Sequence, residues 1–168
     1  FMGSEPIDAD VGKYKGTRVF HDEEHVGLVL AQSLSAEQRN RAVINDELPP
    51  EVFTTAFRDN FELKYEGIRY DDLASSQQEM MMSVIDTYVG RIRQDQASLK
   101  MDEVKNHLDE TYFAWMGGTT KQDVYYYRVH SPVILIEFDY QRGVALDTDK
   151  PTKDHIHTVV RTPNGNDY

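Results

Sequence analysis

At 168 residues, with a formal charge of −11 and 28% charged side chains, the chain has the length of one domain and an acidic field. Such a field repels nucleic acid and anionic membrane, so neither is an expected partner. The absence of cysteine excludes disulfides, thiolate catalysis and thiolate zinc sites.

A hydrophobic content of 39% is that of a globular chain rather than a disordered one. No apolar run approaches the roughly 18 residues a membrane span needs. There is no Asn-x-Ser/Thr sequon, which disfavours a glycosylated secreted protein and points weakly to the cell interior. Phe1-Met2-Gly3-Ser4 reads as a scar, and residues 1–10 are expected to be a tag or disordered lead. Residues 11–168 are expected to form a single α+β domain, part of a longer chain.

The first expected helix runs from Asp22 to Ser33, with Val26, Val29 and Leu30 on one side. Ser35 and Gln38 form a capping-box pattern that opens a second helix carrying Ala42 and Val43. Pro49-Pro50 closes this region. The spacing of Phe53 and Phe57 suggests a short helix in an aromatic-rich stretch that also holds Phe61, Tyr65 and Tyr70. Ser76 and Glu79 give another capping-box pattern. Met81, Val84, Ile85, Tyr88, Val89 and Ile92 follow as a helical stripe expected to face the core. A further helix over 97–108 carries Met101, Val104 and Leu108.

From Tyr112 the hydrophobic period changes from 3.6 to 2. Strands are expected over 112–116, 124–130, 133–139 and 155–161, with turns at Gly117-Gly118 and Pro163-Asn164-Gly165. The expected fold is therefore α+β, with a helical N-terminal two-thirds packed on a C-terminal antiparallel sheet of about four strands.

Strand alternation divides the sheet into two faces. Tyr125, Tyr127, Val129, Ile134, Ile136, Phe138, Ile156, Thr158 and Val160 form a nearly apolar face expected to meet the helices. Tyr126, Arg128, His130, Glu137, Asp139, His155, His157 and Arg161 share the other. If Asp139 stands opposite His155, Glu137 faces His157 directly; on the other side Tyr126 would face Glu137, with Arg128 diagonal to it.

His155-x-His157 places two imidazoles on one face about 6.5–7 Å apart by strand rise. With Glu137 they make a two-His, one-carboxylate set suited to a divalent metal, Fe, Mn or Zn. Arg128 and Arg161 suit a substrate carboxylate. His130, Tyr126 and Glu137 are the candidate catalytic acids and bases. The expected function is a metal-assisted enzyme acting on a small, carboxylated molecule. The rival reading is a non-catalytic module whose polar face docks a missing N-terminal segment or a second subunit.

Gly117-Gly118-Thr119-Thr120-Lys121 links two strands and precedes no helix, so a hairpin turn outweighs a phosphate loop and no nucleotide cofactor is expected. His21 and His25, four apart at a helix start, are expected on the surface.

The motifs Phe113-Ala114-Trp115, Gly117-Gly118-Thr119, Tyr126-Tyr127-Arg128 with His130 and Pro132, Leu135-Ile136-Glu137-Phe138-Asp139 and His155-Ile156-His157-Thr158-Val159 resemble a family of bacterial and fungal proteins, the domain of unknown function 3500. Arg161 and Asn166-Asp167 complete the likeness, and Ser35 to Arg41 fits more loosely. Family members are usually longer, and many carry Trp and Asp where this chain has Val160 and Thr162. The resemblance implies that the motif-bearing sheet is the family's hallmark, and it implies no catalytic residues.

Overall fold

The computed structural model describes residues 1–55 and 62–163. Phe57, Phe61, the Asn164-Gly165 part of the last turn and Asn166-Asp167 lie outside them. The fold is α+β, but the expected count of about four strands and the helical N-terminal two-thirds are both corrected. Among the described residues the sheet has seven strands and is mixed. The strands are β1 (Met2–Ser4), β2 (Val43–Asn45), β3 (Ile68–Arg69), β4 (Tyr112–Gly117), β5 (Tyr125–His130), β6 (Leu135–Arg142) and β7 (Pro151–Arg161). Their order is β1-β7-β6-β5-β4-β2, with β3 also paired to β4. The last four strands form the expected antiparallel meander. The three extra strands are two or three residues long, too short to show any alternation. The first lies in the stretch read as a lead: Met2 to Ser4 pair with β7, and Ile7 is in the core at 2% exposure.

Among the described residues there are four α-helices: α1 (His21–Ser33), α2 (Ala36–Ala42), α3 (Ser75–Val89) and α4 (Gln94–Lys105). Asp22, Glu23 and Glu24 in the first turn of α1 complement its dipole. The capping box at α2 forms as expected: Gln38 N–H donates to Ser35 Oγ at 3.2 Å and Ser35 N–H to Gln38 Oε1 at 3.0 Å. At α3 the expected box at Ser76 and Glu79 is displaced. The N-cap is Ala74, and Gln77 reaches back to accept from its N–H at 2.8 Å. Met81, Val84, Ile85, Tyr88 and Val89 are buried, whereas Ile92 lies past the helix end and is 51% exposed. Phe53 to Thr55 form a turn, and the rest of the stretch expected as a short helix, with Phe57, lies outside the described residues.

Helices α1 and α3 pack against each other and on the apolar sheet face. Tyr127 makes the seam: its hydroxyl donates to Glu23 C=O at 2.8 Å and accepts from Tyr88 at 2.7 Å. Its ring stacks on Phe138 at 5.0 Å and 4°. Trp115 stacks on Tyr125 at 4.5 Å beside them. Each such fully buried side chain removes enough apolar area to contribute roughly 2 kcal/mol or more. This leaves the opposite, polar face for the site.

Candidate functional site on the polar sheet face

The division into two faces is as alternation predicts, but the register differs by two residues. Asp139 pairs with His157 and Glu137 with Val159 on one side. On the other, Tyr126 pairs with Asp139 and Arg128 with Glu137. The expected opposition of Glu137 to His157, and of Tyr126 to Glu137, is therefore corrected. A shift of two preserves which face each side chain occupies while changing its neighbours. The shift arises because β6 continues through the polar residues to Arg142, with an irregularity after Tyr140.

The polar face lies under the chain's own residues 51–55 and 62–66. Glu137 is fully buried. Its carboxylate accepts from Phe53 N–H at 2.7 Å, Thr54 N–H at 3.0 Å, the Thr54 hydroxyl and the Tyr126 hydroxyl at 2.8 Å. Four donors use the lone pairs two carboxylate oxygens offer. Burial, and then Glu137 itself, push the Tyr126 phenol well above its ordinary pKa. Arg128, 1% exposed, donates to Lys64 C=O at 3.3 Å and to Glu66 at 3.1 Å. Its Nε has no partner among the described residues. His130 stacks on Tyr65 at 4.4 Å. Burial, then the Arg128 charge, lower its pKa to about 4. Arg161 reaches Thr54 C=O at 3.5 Å.

The sequence-predicted residues thus fall into two groups. Tyr126, Glu137, Arg128 and His130 hold the covering segment. His155 and His157 stand apart from His130, which aligns across the sheet with Leu135 and Arg161, about 13 Å along β7 from His157 by strand rise. Among the described residues, no group of three or more His, Asp or Glu side chains is placed to hold a metal ion. His21 and His25 are exposed on α1 with stacked rings, and Gly117-Gly118 lies in the β4–β5 hairpin as expected.

At the β6–β7 corner the two histidines form a directed chain. His155 Nδ1 lies 2.7 Å from Arg142 C=O and must donate to it, because a carbonyl only accepts. In the neutral ring its Nε2 then accepts, at 3.0 Å, from His157 Nε2. That tautomer leaves His157 Nδ1 as a lone pair, buried and without a partner among the described residues. Directly across the ladder, Asp139 Oδ2 accepts from Gln141 while Oδ1 has no partner either. Burial, then Glu137 and Glu51, raise the Asp139 pKa to about 8, so it is a neutral acid at pH 7. Burial, then His155, lower the His157 pKa to about 4, so it is a neutral base.

Glu5 completes this corner. Its carboxylate accepts from the N–H groups of Val144, Ala145 and Leu146 at 2.8–2.9 Å and lies 3.5 Å from His155 Nδ1. Gly3, opposite His157, has no room for a side chain: a Cβ would sit 2.7 Å from the imidazole Cδ2. Sequence reasoning missed Asp139 as an acid because its partner depends on register. It missed Glu5 because that residue fell in the discarded lead.

The family model described as protein of unknown function (DUF3500) matches residues 1–168, the whole length of the chain. The chain belongs to the DUF3500 family. No curated protein and no solved structure matches it. The resemblance carried by the β4–β7 motifs is therefore membership, and in this DUF3500 chain those motifs build both faces just described. No described helix is long and apolar enough to cross a membrane.

Proposed function

We propose that the chain is an enzyme of proton-transfer type, acting on a small polar molecule at the Asp139–His157 corner. The observation that carries this reading is a pair of buried, unpartnered polar atoms, Asp139 Oδ1 and His157 Nδ1, on directly opposed residues. A buried polar atom left without a partner costs about 1–3 kcal/mol. A molecule bearing both a donor and an acceptor satisfies both atoms at once. Their protonation states are those of an acid–base pair at neutral pH. His157 Nδ1 takes a proton from the substrate, its Nε2 proton passes to His155 Nε2, and the resulting imidazolium lies beside the Glu5 carboxylate. Asp139 delivers a proton to the substrate from the other side. The unpartnered Nε of Arg128 is the group for a substrate carboxylate.

The metal-assisted reading has less support. Glu137 is committed to four donors, and the two imidazole Nε2 atoms share one hydrogen bond. A docking role for the polar face is favoured by a separate observation: Glu137 contacts Phe53 and Thr54, Arg128 contacts Lys64 and Glu66, and His130 contacts Tyr65, all of the same chain.

The test is a panel of small hydroxy, carbonyl and carboxylate compounds screened by ligand-observed NMR in D₂O, with and without added Zn²⁺ or Mn²⁺. The expected result is a binder whose C–H exchanges with solvent under the protein's catalysis, without added metal. Asp139→Asn and His157→Gln, each still folded, are expected to slow that exchange by about 100-fold or more. Exchange unaffected by both variants, or no exchange across the panel, overturns the proton-transfer reading. Exchange that requires metal favours the histidine pair as ligands.

A further inference from the structure

A second site lies on the other side of the molecule, in a groove of about 550 Å³ between the α3–α4 region and the end of β7. That volume is in the range of small-molecule pockets. Its apolar walls include Ile92, Leu99, Ile134 and Val160. Three of these are exposed to an unusual degree for large apolar side chains: Ile92 51%, Leu99 65% and Val160 37%.

Gln96, Arg161 and Thr162 also line the groove, and among its polar groups Lys100 has the informative geometry. Lys100 Nζ donates to Val133 C=O at 2.5 Å, to Thr162 Oγ1 at 2.9 Å and to Glu103 at 2.7 Å. The first two bonds tie the ammonium to the end of the sheet. The third goes to a glutamate side chain that is 45% exposed. The lysine is only 20% exposed, but its glutamate partner lies at the surface, and a Lys–Glu pair one helical turn apart with one solvated member is worth little, typically about 1 kcal/mol or less. The ammonium is thus fixed in place by two groups and neutralised by a third that is readily exchanged.

We propose that this groove binds an amphipathic monocarboxylate. Its carboxylate takes the place of Glu103 on Lys100, and its aliphatic tail covers Ile92, Leu99, Ile134 and Val160. Charge complementarity selects the anion: a cationic head would meet the Lys100 ammonium, and an uncharged head would forgo the charge-assisted bond. This site is separate from the Asp139–His157 corner, and neither reading depends on the other.

The probe is sodium octanoate, titrated into the isotope-labelled chain and followed by amide chemical shifts, with 1-octanol as the tail-only control. Saturable shifts are expected in α4 and at the end of β7, with octanoate binding at least 10-fold tighter than octanol. Glu103→Gln removes the internal competitor and is expected to tighten octanoate binding several-fold. Lys100→Met is expected to weaken it to the level of octanol, and Leu99→Asp to weaken both compounds. No saturable shift up to 10 mM, on the order of the weakest useful affinity, overturns the proposal. Equal affinity for the two compounds, or a Glu103→Gln variant that binds no tighter, does the same. Glu103 is exposed, so that variant decides the matter if Lys100→Met fails to fold.

Discussion

Gly27 shows how one residue sets the distance between a helix and the sheet. It lies in α1 directly over the Tyr127 ring, and a Cβ built there would be 2.2 Å from Cε1. Alanine is the better helix former by about 1 kcal/mol. Tyr127 cannot yield to it, because its hydroxyl is tied to Glu23 and Tyr88 and its ring is stacked on Phe138. Overpacking of a fixed core typically costs 1–3 kcal/mol. Gly27→Ala is therefore expected to destabilise the fold by about 1–2 kcal/mol net, against its helix propensity. Urea unfolding checks this, and a stabilised variant would show that α1 is free to slide. Nothing in the sequence marks Gly27 as a contact, since a mid-helix glycine reads only as a propensity cost.

At the scale of elements, Glu137 is the fastening of the covering segment. Its four donors come from Phe53, Thr54 and Tyr126. Each oxygen accepts from one backbone N–H and one hydroxyl; glutamine turns one oxygen into a donor, which the hydroxyl can accept from but the backbone N–H cannot, so at least one buried bond is lost and the rest lose their charge assistance. Hydrogen bonds to charged groups are worth about 1.5–3 kcal/mol. Glu137→Gln is expected to cost roughly 3 kcal/mol and to open residues 51–55 and 62–66 to protease, with trypsin cutting after Lys64 well before it enters the sheet. Cleavage no faster than in the parent would mean the segment is held elsewhere. The same element shows what was legible. Alternation assigned Glu137, Arg128 and Tyr126 to one face correctly, because side-chain parity survives a two-residue slip. It misjudged their partners, because register depends on where β6 ends. The helices with apolar stripes and the four long strands were readable for the same reason of period. The helical two-thirds failed because β1, β2 and β3 are too short to carry a period, and their residues pair only through the long strands beside them.

For the whole molecule, buried Asp139 and His130 and half-buried His157 set the dependence of stability on pH between 4.5 and 8.5, and their signs oppose. Asp139 has a folded pKa of about 8, above its ordinary 3.8. Between these values the folded state holds a proton that the unfolded state has released, so Asp139 favours folding at low pH and that contribution is lost as pH rises towards 8. His130 and His157 have folded pKa values of about 4, below their ordinary 6.5. Each contributes stability that is complete above pH 6.5 and is lost as pH falls to 4. Each one-proton difference changes stability by about 1.4 kcal/mol per pH unit. Above pH 6.5 only Asp139 differs, and stability falls as pH rises. Below 6.5 the unfolded state gains two histidine protons against one held by folded Asp139, and stability falls as pH drops. Stability is therefore expected to peak near pH 6.5, with slopes of opposite sign on either side, in urea unfolding from pH 4.5 to 8.5. Asp139→Asn keeps a side chain of the same size without the ionisation. It is expected to abolish the high-pH fall, so that between pH 6.5 and 8 the variant gains on the parent by on the order of 2 kcal/mol, and to steepen the low-pH limb. A parent whose stability is flat between pH 6.5 and 8 would mean that Asp139 is ionised in the fold, and the acid of the proposed pair would be lost with it. A stabilised Asp139→Asn chain that no longer catalyses exchange is what a carboxyl kept neutral for chemistry requires, since a buried acid retained against the stability of the fold is a site where function and stability pull apart.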